Sequence, residues 1–258
     1  MAAAPVLPDS SLTPEPAPLS EGARLIDTFI APSKTFTDLG RNAKWWSWLP
    51  PFVIVCIFGI AFFITVGQKI GFRKVAENQI QASPKAAERM DKLPADQREQ
   101  AMERQAKGTQ IFTEYFYPVL VIFFDLVIAV LLFATFTFVA GVDVKFKTAF
   151  AIVAYAGLPG VLKLLLAMAS ILAGMSPDSF TLQNPVATNP GYFMNPSDSA
   201  FLFSLGSSCD LFLIWTLVLT AIGFTCVSKV KTGTSFAIVF GWWLVFALGG
   251  AGFAAMFS

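Results

Sequence analysis

Three charged residues stand where charge is costly. Asp125 lies inside "YPVLVIFFDLVIAVLLFATF", Tyr117 to Phe136, a run otherwise almost wholly apolar; Lys163 lies in "AYAGLPGVLKLLLAMAS"; Asp210 opens "CDLFLIWTLVLTAIGF". A charged group in hydrocarbon costs on the order of 2.5–3.5 kcal/mol on insertion scales, so such residues face the protein interior and find partners. An acid and an amine at one depth can serve as a proton or ion relay or as a counter-charge to a substrate. They can equally form an interhelical salt bridge that fixes packing. Two carboxylates around one amine would leave a net negative site, suited to a cation or a titrating proton.

Depth pairs the first two. Asp125 lies 16 residues before Gly141 and Lys163 lies 15 beyond Thr148, so in two helices rising about 1.5 Å per residue from one tight turn both reach roughly 23 Å from it. Asp125 and Lys163 are therefore expected to meet, with Asp210 entering from the far end of another helix. Ala156, Pro159, Gly160, Ala167 and Ser170 share a helical face with Lys163, a small-residue stripe that admits a close neighbour. Pro159 removes a backbone donor one turn before Lys163 and kinks the helix, which makes Tyr155, Pro159 and Gly160 the candidate kink and hinge.

Other chemistries are narrowed by composition. The chain contains no histidine, which excludes His-ligated zinc, His general bases and Ser-His-Asp triads. Cys56, Cys209 and Cys226 lack the short spacing of a metal knuckle or redox pair, and 17 residues of one helix hold the last two about 25 Å apart. No phosphate-binding glycine loop, nucleophile elbow or paired-carboxylate site is present. The expectation is no catalytic residue, no metal and no cofactor.

The elements that position these charges are membrane spans. Of 258 residues 55% are hydrophobic and 14% charged, and five apolar runs are long enough to cross hydrocarbon: Leu49 to Val66, Tyr117 to Ala140, Ala149 to Ala173, Cys209 to Val227 and Ser235 to Phe257. The predicted fold class is all-α, a polytopic membrane protein with five transmembrane helices in one bundle over residues 49–258. Its first partner is the lipid bilayer. A net charge of +1 with no isolated basic block argues against nucleic acid.

Polar segments complete the plan. Residues 1–20 are rich in proline and small residues and are expected to be a disordered tail. Residues 21–48 read as an amphipathic interfacial segment, with Leu25, Ile26, Phe29 and Ile30 on one face and Trp45, Trp46 and Trp48 as anchors at the water boundary. Residues 67–116 carry nine basic and seven acidic side chains between Lys69 and Glu114 and are expected to form a helical hairpin off the bilayer, with starts at Ser83–Pro84 and Pro94–Asp96 and a stop at Gly108. "GMSPDSFTLQNPVATNPGYFMNPSDS", with four prolines, three asparagines and no lysine or arginine, reads as an irregular surface loop. In the fifth span Ala247, Gly250, Ala251 and Ala255 form a small-residue packing face, within the chain or between copies in a homo-oligomer. Basic residues gather before the first span and in the "GVDVKFK" and "SKVKTG" loops, which predicts a cytoplasmic N-terminus and an extracytoplasmic C-terminus.

"APSKTF" ahead of the first span, "AYAGLPGVL" in the third with Tyr155 and Pro159, and "CDLFLIWTLVLTAIGF" in the fourth with Asp210, Phe212 and Trp215 resemble the Yip domain, named for Ypt-interacting proteins. The similarity runs from about Ile26 to Phe257. It implies a five-helix membrane bundle with the same orientation and, for eukaryotic members, links to Rab-type GTPases and vesicle traffic through binding, without established catalysis. The chain departs from those members in its short, proline-rich N-terminal part and its enlarged first loop. The resemblance thus implies a bacterial-type member in a cytoplasmic membrane, acting through helix packing and lipid or protein contacts, with a small proton, cation or solute transporter as the alternative.

Overall fold

The computed structural model describes residues 17–257, with Phe257 described by its backbone alone. The expected disordered tail lies outside the described residues as far as residue 16. Two short helices open the chain, α1 (Glu21–Ile30) and α2 (Pro32–Asn42). The Ser20 hydroxyl accepts a bond from the Ala23 N–H and caps α1. Pro32 disfavours helical backbone at Ala31, which adopts φ −147° and ends α1. The same proline then starts α2, where its missing N–H costs nothing.

The first span is α3 (Leu49–Lys69). The polar insertion follows as α4 (Phe72–Gln81), α5 (Pro84–Asp91) and α6 (Ala95–Tyr115). Ser83 and Pro94 precede α5 and α6 as expected, but Gly108 does not stop α6, which continues to Tyr115. One glycine weakens a helix by only about 1 kcal/mol, too little to end one so well supplied with helix-forming residues on both sides. The second span is α7 (Tyr117–Ala134) prolonged by a π-helical turn, Thr135–Val139. The third is α8 (Phe146–Ala156) followed by α9 (Pro159–Leu172). After a long connection come α10 (Ala200–Ser208), the fourth span α11 (Leu211–Ser228) and the fifth, α12 (Thr232–Phe257). The protein is an all-α polytopic membrane protein, with five helices long and apolar enough to cross a bilayer.

The third span is the centre of the bundle: 61% of its most apolar stretch is buried, against 17% in the second and fifth spans. Tyr155, Ile152, Phe136, Leu219 and Phe224 form the core around it, with Phe136 stacked on Phe224 at 4.3 Å. The outer faces carry exposed Phe123, Phe124, Leu244 and Val245, the apolar surface a lipid-facing helix presents.

The α1–α2 hairpin packs into this bundle. Phe36 lies against Gly223 and Gly40 against Val227, so α2 runs parallel to α11 at a constant offset. A Cβ on Gly223 would sit 2.5 Å from Ile152 Cγ2 and 3.1 Å from Phe36 Cδ1; only glycine lets α2, α8 and α11 approach so closely. Ile26 and Ile30 face outward, as do Trp45 and Trp46. Trp48 turns inward instead, 5.2 Å from Phe150 and 5.4 Å from Phe52. On α12, Ala247 and Ala251 are buried while Gly250 and Ala255 are exposed.

Candidate functional site

The three charges Asp125, Lys163 and Asp210 do not form one cluster. Lys163 Nζ pairs with Asp210 at 2.9 Å. Among the described residues Asp125 has no ion pair, so the expected meeting of Asp125 with Lys163 is corrected. Equal depth fixed only one coordinate. The second span ends in a π turn, and the third is broken where Pro159 cannot donate, so Leu158 and Gly160 close short turns onto the carbonyls of Tyr155 and Gly157. Both features rotate the helix faces beyond them. Lys163 consequently lines a hollow with Phe62, Thr109 and Leu182, whereas Asp125 lines a different one with residues of α11 and α12.

Asp210 is the N-cap of α11 and is almost fully saturated. Its Oδ1 accepts from the N–H groups of Phe212 (3.0 Å) and Leu213 (3.2 Å). Its Oδ2 accepts from Lys163, the Thr188 hydroxyl and Asn189 Nδ2. Asn189 also donates to Asn184 Oδ1 at 3.1 Å, and Asn184 donates to Ser207 of α10 at 2.8 Å. The segment expected to be a surface loop therefore turns inward: Phe180, Val186, Asn184 and Asn189 are buried. Its asparagines can be buried because they satisfy one another and the Asp210 carboxylate. Gly191 permits the approach, since a Cβ there would lie 2.3 Å from Ser207 Oγ. The readable signal was Asp210 itself, an N-cap residue type directly before an apolar run.

A second ionic network lies on α1 and α2. Arg24, 3% exposed, donates through Nε to Asp38 Oδ2 at 2.7 Å, pairs with the same oxygen through Nη2 and with Glu21 through Nη1 at 2.7 Å. Asp38 also accepts from Asn42 (2.8 Å) and from the Leu19 N–H (3.2 Å). Burial pushes the Asp38 carboxyl up, but these hydrogen bonds and the Arg24 charge outweigh it and hold the group below its ordinary value. The Thr28 and Thr35 hydroxyls both donate to the Arg24 carbonyl. The Tyr155 hydroxyl, buried in α8, donates to Glu21 Oε2 at 2.6 Å, tying the hairpin to the third span just before its break. Sequence reasoning missed this network because its charges sit in short polar helices where they look solvated; the i,i+3 spacing of Glu21 and Arg24 was the available signal.

The three stretches carrying the family resemblance thus meet at one place. Thr35 of "APSKTF" donates to the Arg24 carbonyl of α1 and Phe36 lies against Gly223 of α11, Tyr155 of "AYAGLPGVL" reaches α1, and Trp215 of the fourth span holds Phe29 edge-to-face at 5.8 Å. The family model of the Yip1 domain matches residues 26–253. The chain belongs to the Yip1-domain family. No curated protein and no solved structure matches the chain. Nearly the whole described molecule lies within the Yip1 domain, the polar insertion α4–α6 included. Inside that insertion Arg73 forms a two-pronged pair with Glu99, and Lys74 reaches out of it to pair with Asp178 in the connection after the third span. Hydrogen bonding to Arg73 holds the Glu99 carboxyl low. Cys56, Cys209 and Cys226 are free thiols.

Proposed function

We propose that this Yip1-domain protein is a non-enzymatic integral membrane protein that acts by binding, through its lipid-facing helices and a protein partner or a second copy of itself, in membrane organisation. It sits in a bacterial cytoplasmic membrane with its N-terminus in the cytoplasm and its C-terminus outside. One observation supports this reading above the others: Asp210 already accepts five hydrogen bonds, all from its own chain, one of them from Lys163. A relay carboxylate must exchange partners during turnover, and one saturated as a helix cap is a fixed joint.

Reconstituted vesicles test it. Under imposed proton, sodium or potassium gradients the wild-type protein is expected to give no flux above protein-free vesicles, while light scattering and cross-linking report its self-association. The transport alternative has its own support, Asp125 facing a cleft without an ion pair among the described residues. Gradient-driven flux that disappears in Asp125→Asn would replace the binding reading with that one.

A further inference from the structure

Asp125 stands at the end of a lateral cleft. The second span and α12 are joined where Trp242 Nε1 donates to Thr135 Oγ1 at 3.1 Å, and a cleft opens beside that bond. Ten residues along the second span, about 15 Å away, Asp125 lines the cavity of about 460 Å³ left between them, floored by Val153 and Gly157 of the third span and by Thr216 and Thr220 of α11. The lining is apolar apart from the carboxylate, those two threonines and the indole N–H groups of Trp242 and Trp243, which donate to Thr135 Oγ1 and the Ser208 carbonyl, and the Thr220 hydroxyl donates to the Thr216 carbonyl. Phe124, Val127 and Phe246 at its rim are exposed, on spans whose outer faces meet lipid.

A carboxyl group in such surroundings keeps its charge only beside a cation and otherwise holds its proton, so a bound cation is what the ionised form of Asp125 would need. The protein supplies none among its described residues: Lys163 is held by Asp210, and the groups within electrostatic reach of Asp125 include the Cys56 thiol and the Tyr117 phenol, which carry no positive charge in either protonation state. A bare metal ion is poorly served, because one carboxylate among apolar walls offers too few oxygen ligands. A zwitterionic phospholipid would bring a phosphate, for which the lining holds no basic residue. Trp242 and Trp243 also line the cleft, and indole faces attract cations. The volume is that of a small-molecule site.

We infer that the cleft between α7 and α12 binds the ammonium group of a single-chain cationic amphiphile entering sideways from the bilayer, with Asp125 as its counter-charge. This deepens the binding reading and rests on it. The test uses the full chain in nanodiscs with dodecyltrimethylammonium as probe and with dodecyl maltoside, dodecyl sulfate and phosphatidylethanolamine as comparisons, read by thermal stabilisation and tryptophan fluorescence. Saturable binding of the cation is expected, with at least tenfold weaker response to each comparison compound and at least tenfold weaker cation binding by Asp125→Asn. Val127→Trp at the exposed rim keeps the carboxylate and is expected to lose binding, so the inference stays testable should Asp125→Asn fail to fold. Equal binding of the cation by wild type and both variants, or an equal response to the maltoside, would reduce the cleft to an apolar groove. A stronger response to phosphatidylethanolamine would overturn the single-chain ligand. No saturable binding of the cation by the wild type, together with no flux, defeats this inference alone; flux in vesicles defeats the reading it rests on.

Discussion

The two buried ionic networks are built in opposite senses. On α1 and α2 a cation is the hub: Arg24 is buried and shared between two carboxylates, one of which, Glu21, remains half exposed. At the head of α11 an anion is the hub: Asp210 is 3% exposed while its amine partner, Lys163, is 24% exposed. Removing a hub leaves every group around it unpaired at once, whereas removing one peripheral group leaves the hub its remaining partners. The comparison therefore assigns each network the side chain it can least spare. Arg24→Met is expected to cost the most, about 3–5 kcal/mol in detergent unfolding, because Asp38 and Glu21 are left facing each other without a cation. Adding Asp38→Asn to it should recover part of that loss. If the double variant is no more stable than Arg24→Met alone, the hub assignment on α1 and α2 is wrong.

The second network sharpens the contrast. Asp210→Ala removes a helix cap, worth about 0.5–2 kcal/mol, and orphans the buried Thr188 and Asn189 donors, at about 1–3 kcal/mol for an unsatisfied group. Lys163→Met takes away the cation but leaves Asp210 four hydrogen-bond donors, and is expected to cost less than Asp210→Ala. Thermal unfolding of the two variants side by side checks the order. Equal losses would mean that the ion pair, and not the cap, holds the loop against the bundle.

The contrast also explains what could be read from the chain. The five spans were legible because hydrocarbon demands long apolar runs and tolerates few alternatives. Pro159 fell where the third span breaks, and Ser83 and Pro94 stood where α5 and α6 begin. The partnership of Lys163 was not legible from depth, because a π turn and a proline break change the direction a side chain faces without changing its height. The Arg24 network was hidden for a different reason. Glu21, Arg24 and Asp38 look like ordinary surface charges until the hairpin is packed along α11, and that packing depends on Gly223 having no side chain, which spacing alone does not announce. In both networks the local chemistry was visible and the long-range contact was not.

Acid separates the networks by a smaller amount. Asp38 is held below its ordinary value in the folded protein, while in the unfolded chain a carboxyl titrates near about 3.9. Between those values the unfolded state binds more protons, so stability falls as pH falls. The contribution is fully present above the unfolded value and is lost as pH drops through the folded one. The wild-type protein should therefore lose stability below about pH 4 relative to Asp38→Asn, measured as the difference between their unfolding midpoints. A difference that stays constant down to pH 3 would show that Arg24 is satisfied without the ionised form.

The smallest effect is expected where an ion pair sits outside both networks. Arg73 and Glu99 join α4 to α6 through two prongs, one of them at 2.8 Å, and both side chains are about half exposed. The geometry is as good as that at Arg24, yet water already solvates each charge and salt screens their attraction. Glu99→Gln should leave the unfolding midpoint within the spread of replicate preparations at ordinary salt. It should also leave no salt dependence beyond that of the wild type. A loss comparable to that of Arg24→Met would show that bidentate geometry governs these pairs, and would remove burial as the reason the two inner networks differ from it.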